Sequence, residues 1–225
     1  AGQYGKALGE EARFREKDVI LGPGLNMYRS PLCGRNFEYM GEDPYLAGKL
    51  AVPYIQGLQS NGVAACVKHY ACNNEERHRH KTDVEVSERA LREIYLPAFE
   101  MAVKEGDAWS IMASYNLFRG THCCHNGYLI NDILKGEWGF DGLVMSDWAG
   151  THDTKEAVLG GLDVEFGTKV GKKMPAGESV YDIYYLANPY KEGVLSGEYS
   201  MEGLDERVRR VLRLTFKTAM NPDRK

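Results

Sequence analysis

No stretch of the sequence approaches the roughly 18 consecutive apolar residues that a membrane span requires, and no basic-then-apolar leader opens it. A soluble protein is therefore expected, with its compartment left open. Strong charge of one sign is also missing: 28 Lys and Arg against 32 Asp and Glu leave a formal net charge of -4. Phosphate backbones need clustered cations, so no nucleic-acid partner is expected. The one basic run, Arg77-His78-Arg79-His80-Lys81, reads as a solvated loop. Cysteine is scarce and odd in number at 5, without the spacing of a disulfide scaffold. No Gly-x-Gly-x-x-Gly opens a helix, which argues against a dinucleotide fold, and no cofactor is expected. His122-Cys123-Cys124-His125 packs four metal-binding side chains together. Adjacent cysteines rarely close one tetrahedral site, and no metal is expected either. The first residue is Ala rather than Met, so a processed, engineered or partial chain is expected.

What is present is an ordinary globular balance, 43% hydrophobic and 27% charged over 225 residues. Helical and strand patterns alternate. Residues 2–16 read as a helix and Asp18–Leu21 as a strand stopped by Gly22-Pro23-Gly24. Asp43 and Pro44 form an N-cap and first helical position, opening a helix to about Ser60 that Pro53 should bend or split. Val63–Lys68 is the next strand. Ser87 caps a helix whose buried face is Leu91, Ile94, Tyr95, Ala98 and Ala102, kinked at Pro97. Ser110–Ser114 and Leu143–Ser146 are further strands, separated by a helix over 127–137. A short helix over 153–160, a fifth strand Leu162–Phe166, and helices over 177–196 and 201–217 complete the pattern; Leu204, Val208, Val211 and Leu212 form the apolar stripe of the last. Alternating units with uniformly apolar strands predict an α/β fold, a (β/α)8 TIM-like barrel. Five to six βα units are visible where a full barrel needs eight strands, so the barrel is expected to be incomplete.

Successive strands end in Lys68-His69, Tyr115-Asn116 and Asp147-Trp148. Barrel enzymes place their chemistry at such ends, so these residues should meet at one mouth. A carboxylate that attacks an anomeric carbon must be ionised, and the cations Arg35 and Lys68 would favour that form. Lys, His, Arg and Tyr supply the donors and acceptors that sugar hydroxyls require. Taken singly each residue has a plainer role: Asp147 a turn or helix cap, His69 a satisfied structural histidine, Tyr115 a core aromatic, Asp163 a buried structural group.

In order along the chain stand Gly22-Pro23-Gly24-Leu25-Asn26, Cys33-Gly34-Arg35-Asn36-Phe37-Glu38, Gly41-Glu42-Asp43-Pro44-Tyr45-Leu46 and Lys68-His69-Tyr70 with Asn73-Asn74-Glu75. Ser87-Glu88-Arg89, Leu91-Arg92-Glu93-Ile94-Tyr95-Leu96-Pro97, Met112-Ala113-Ser114-Tyr115-Asn116, Glu137-Trp138-Gly139-Phe140 and Ser146-Asp147-Trp148 follow. Over nearly its whole length the chain resembles the catalytic barrel domain of family 3 glycoside hydrolases of the β-glucosidase type. The resemblance implies a retaining exo-β-glycosidase that hydrolyses terminal β-D-glucosyl residues by double displacement. Asp147 would be the nucleophile. Arg35, Lys68, His69, Met112 and Tyr115 would hold the terminal sugar, Trp148 would flank the leaving group, and Glu75 and Arg89 stand between a site role and a structural one. The ligand would be a β-glucoside or short β-linked oligosaccharide. Residues 1–225 are expected to be one partial barrel domain, lacking the family's first barrel strands and the α/β-sandwich domain that supplies its acid/base Glu. Such a chain alone should be weakly active or inactive, with open edges that pair with missing segments or another copy. Competing expectations are an inactive or sugar-binding fragment of the same fold and a β-xylosidase.

Overall fold

The computed structural model describes residues 1–167, 177 and 179–223. Four parallel strands carry the fold: β1 (Val19–Ile20), β2 (Ala64–Tyr70), β4 (Ser110–Ala113) and β7 (Leu143–Ser146), neighbours in that order. Register is set by Val19 opposite Ala64, Cys66 opposite Ser110, and Lys68, Met112 and Met145 across three strands. Sequential parallel neighbours joined by helices are the winding of a (β/α) barrel. Val164 adds a single parallel bridge to Met145 beyond β7. Among the described residues the array does not close on itself, and it forms an arc of a TIM-like barrel.

Helices cover one face. α1 (Gly2–Phe14) lies on α2 (Pro44–Gln59) so closely that a Cβ at Gly5 would strike the Tyr54 carbonyl. α2 begins as its sequence dictates: Asp43 Oδ1 accepts from the Tyr45 and Leu46 N–H groups, and Pro44 fills the first turn. It runs unbroken through Pro53. α4 (Pro97–Lys104) packs beside α2. Ala65, Val67, Ile111, Val144, Leu58, Leu91, Phe99, Leu129 and Ile133 join in one large buried core on this side. On the other face Cys66, Met112, Leu143 and Met145 make a small cluster, edged by Val19, Val164, Phe166 and Leu214.

Several expectations are corrected. The segment after Ser87 is a short α3 (Glu88–Ala90), then a π-helical turn Leu91–Tyr95, then α4. Pro97 has no N–H, and its ring would clash with the carbonyl one turn back. The ladder therefore widens, with Leu96 N bonding Leu91 O. Tyr128–Glu137 is likewise π-helical. The fifth strand shrinks to the Val164 bridge. The helix expected over 177–196 is a 3-10 turn, Val180–Ile183, followed by α6 (Asn188–Ser196); residue 178 lies outside the described residues. The apolar stripe read on the last helix forms on α7 (Met201–Lys217) and lies open, with Val208, Val211 and Leu212 exposed and Leu204 partly so. α7 is held instead by arginines, Arg207 donating to the Leu162 and Val158 carbonyls and Arg210 to those of Phe140 and Gly142. A second small sheet of β3 (Asp83–Val84), β5 (Leu117–Phe118) and β6 (Thr121–His122) had no signal beyond its short length.

Candidate active site

β2, β4 and β7 deliver Lys68-His69, Tyr115 and Asp147 to their C-terminal ends, and the register that aligns Lys68 with Met112 and Ala113 with Ser146 brings them together. The β2–β4 ladder shifts register between Lys68 and Tyr70, re-aiming the strand end where His69 sits. The loop before α2 folds back over this end. Gly24 bridges both Lys68 and Tyr39, and a Cβ there would collide with the Tyr39 ring and the Glu38 carbonyl.

Asp147 is buried. Trp148 N donates to its Oδ1 at 2.8 Å, and the nearby Tyr115 hydroxyl favours the carboxylate form. Burial raises its pKa above the ordinary carboxyl value, and the pull of the Trp148 N–H, Tyr115, Arg35 and Arg79 does not fully offset it. His69 Nε2 stands 3.6 Å from Asp147 Oδ2. That contact is not an ion pair, because burial, and then the charges of Arg35, Lys68 and Arg79, push the imidazole down to about 2. His69 is a neutral ring, held by its backbone N–H to Asn26 Oδ1 and flanked by Tyr39 at 3.3 Å.

A charge lattice supports the wall. Lys68 Nζ lies 2.8 Å from Glu38 Oε2, and Arg35 Nε donates to Glu38 Oε1 at 2.6 Å. Burial alone would raise the Glu38 carboxyl; the bonds from Lys68 and Arg35 win and hold it below the usual range. Glu76 accepts from Asn73 and from Arg79 at 2.6 Å and faces Arg35 at 3.8 Å. Arg79 lays its guanidinium over the Tyr115 ring at 4.2 Å. Lys68, expected to favour the ionised nucleophile, is paired with Glu38, and Arg79 joins Arg35 among the cations acting on Asp147.

The structure brings Arg35, Lys68, His69, Tyr115 and Asp147 to one mouth. Met112 is buried beneath it in the small cluster, in register with Lys68. Trp148 is 47% exposed and stacks on Phe166 at 5.2 Å and 15°. Glu75 and Arg89 are not there: Glu75 caps a turn at Arg77 N, and Arg89 pairs with Glu93 in solvent. Asp163 is buried below the mouth, accepting from Val144 N and from Lys135. Glu38, Glu76 and Arg79 were missed. Arg79 sat in a run read as a solvated loop, and only the Glu38 and Lys68 positions within one motif set hinted at a paired acid. In His122-Cys123-Cys124-His125 the two thiols face the carbonyls of Ala71 and of Ala113 and Ser114. Among the described residues no group of three or more His, Cys, Asp and Glu is arranged to hold a metal ion, and no helix is long and apolar enough to cross a membrane.

The profile of the Glycosyl hydrolase family 3 N terminal domain matches residues 1–214. Beta-glucosidase BoGH3A of Bacteroides ovatus is 61% identical over 221 residues, 98% of this chain and 30% of that protein. The exo-alpha-(1->6)-L-arabinopyranosidase of Bifidobacterium longum is 51% identical over 163 residues, 72% of this chain and 22% of that protein. The structure of beta-glucosidase 3B from Thermotoga neapolitana in complex with glucose superposes with a TM-score of 0.87 at 40% identity, covering 99% of this chain and 30% of that one. The chain therefore spans less than a third of the length of these relatives.

Proposed function

The chain belongs to glycosyl hydrolase family 3, and on that footing we propose that it carries the nucleophile side of a retaining exo-β-glucosidase active site. Asp147 attacks the anomeric carbon of a terminal β-D-glucosyl residue. The bond from that carbon to the leaving-group oxygen breaks as the glycosyl ester forms, and a general acid protonates the departing oxygen. The conjugate base of that acid then takes a proton from water as the water oxygen attacks the same carbon, the ester C–O bond breaks and the carboxylate is regenerated, with overall retention. Arg35, Lys68, His69, Arg79 and Tyr115 bind the sugar hydroxyls, Met112 supports the floor, and Trp148 flanks the leaving group. Glu38 is not assigned as the acid, because the bonds from Lys68 and Arg35 hold its carboxyl below the usual range; Glu76 is not assigned either, its oxygens already accepting from Asn73 and Arg79.

The observation that carries this reading is Asp147 at the end of β7, where burial raises its carboxyl pKa and the Trp148 N–H, Tyr115, Arg35 and Arg79 partly offset that. The glucose bound to the Thermotoga relative supports the choice of sugar. A 2-deoxy-2-fluoro-β-glucoside with a good leaving group should trap the complete protein and label the peptide containing Asp147. A label on a different carboxylate refutes the assignment, and an initially released α-anomer refutes retention.

The Bifidobacterium relative favours a second reading, in which the same wall accepts an α-L-arabinopyranoside. Turnover of aryl β-glucoside, β-xyloside and α-L-arabinopyranoside by the complete protein decides among them. A kcat/KM for the glucoside below that for either other sugar replaces the glucosidase reading. Glucose binding with no turnover of any of them assigns a sugar-binding role.

A further inference from the structure

Three imidazole rings that the proposed chemistry does not use lie together beside the mouth. His122 and His152 have ring centroids 4.0 Å apart, and His125 lies 5.8 and 5.9 Å from them. His125 has no exposed side-chain surface. Its Nε2 faces the backbone N–H of His152 at 2.9 Å and must therefore be the acceptor. The proton then belongs on Nδ1, which donates to Glu156 Oε2 at 3.0 Å. His152 lies in the loop that leaves Asp147 and ends at Asp153, the N-cap of α5 (Thr154–Gly160). His122 reaches the other wall, its Nδ1 3.1 Å from the Tyr115 carbonyl oxygen. α5 rests directly on this turn, since a Cβ at Gly160 would collide with the His125 carbonyl.

We infer that His125, with His122 and His152, is a positioning latch: it fastens the loop carrying Asp147 and Trp148 to the segment carrying Tyr115, and it opens when His125 and His152 take up protons. A second proton on His125 occupies Nε2, so the His152 N–H loses its acceptor, and cationic rings at these separations repel. The groups facing the cluster are Glu156 and Asp153 from α5, His80 from the 78–82 turn, and Tyr115 after β4. Burial lowers the His125 pKa, only partly opposed by Glu156, and burial followed by the neighbouring histidines lowers His152 to about 4. Both are depressed in the closed state. Closure is therefore fully favoured above the ordinary histidine value of about 6.5 and is lost as the pH falls below it.

The latch bears on the glucosidase reading only through its kinetic readout, and its structural readout is independent. Amide hydrogen exchange over 147–153 in the complete protein, normalised for intrinsic rate, should lose protection as the pH falls from 7.5 to 4.5, while α2 and β4 keep theirs. Glu156→Gln keeps an acceptor for Nδ1–H and removes the charge that favours the protonated ring. Its carboxylate is exposed, so folding is spared. In that variant the closed-state ring is depressed further while the open-state value is unchanged, so both the opening and the acid limb of kcat/KM should move up by about half a pH unit. His125→Gln, which keeps a non-titrating group near the Nε2 position, should flatten the exchange response. Exchange over 147–153 that tracks α2 and β4 at every pH overturns the latch whatever the enzyme does. A pH-dependent opening in a protein that turns over no glycoside supports the latch while the glucosidase reading fails.

Discussion

The two faces of the parallel sheet differ in what they are made of. The helix-covered face is a continuous buried core from α2 through Phe99 and Ile111 to Leu134, and Tyr70 meets Phe99 and Trp138 edge-on within it. On the opposite face Cys66, Met112, Leu143 and Met145 form a small buried cluster, and at its rim the face turns ionic, with Lys68, Glu38, Arg35, Glu76 and Arg79 in one lattice. Stability and chemistry are thus largely segregated: one face holds the backbone in place, and the other presents groups whose desolvation is compensated only by each other. The segregation can be tested by perturbing the faces separately in the complete protein.

The largest expected effect lies at the rim. Asp147→Ala should lower turnover of an activated aryl β-glucoside by about four orders of magnitude with the melting temperature little changed. A large loss of Tm would show that the carboxylate belongs to the scaffold. On the covered face Phe99→Ala should cost roughly 3–5 kcal/mol of stability, read from denaturant melts, with kcat/KM of the surviving folded protein kept. Met112→Ala, on the thin face, should cost less, about 2 kcal/mol, and lower kcat/KM as well. Equal stability costs and equal kinetics for the two would erase the distinction.

Arg79→Ala comes next. It removes the cation over Tyr115 and the partner of Glu76, and should lower kcat/KM by roughly 30- to 160-fold, the scale of about 2–3 kcal/mol for losing a partner to a buried polar group. No kinetic change would return Arg79 to the solvated loop. The smallest effect is the pH dependence of stability from His69. Its folded pKa is depressed, so the native ring stays neutral while the unfolded chain takes up a proton below about 6.5. Stability should fall with pH below that point by about 1.4 kcal/mol per unit for this one group. His69→Asn should flatten that slope in urea melts at pH 7, 6 and 5, and an unchanged slope would show that His69 does not contribute it.

Much of the architecture was legible because it is written locally. Asp43-Pro44 and Ser87 announce helix starts through hydrogen bonds to backbone a turn away, which the structure contains. Apolar runs at 64–70, 110–113 and 143–146 announce covered parallel strands. Less legible are the segments whose state depends on partners. Val208, Val211 and Leu212 have helical spacing, but spacing does not show whether another surface covers them. Leu162–Phe166 has strand composition, yet Asp163 folds back onto Val144 N and Lys135, and only Val164 pairs.

The same division holds at the candidate site. The sequence alone determined which strands end in polar residues and so which side chains stand at one rim, because period and chain direction fix both. It also determined the family, through motifs kept in order. Tertiary structure alone decided that Lys68 pairs with Glu38, that Arg79 lies over the Tyr115 ring, that His69 is neutral, and that His125 holds His152. These outcomes depend on distances of 3 to 4 Å between residues far apart in the chain, where burial and charge act through space and leave no trace in local sequence.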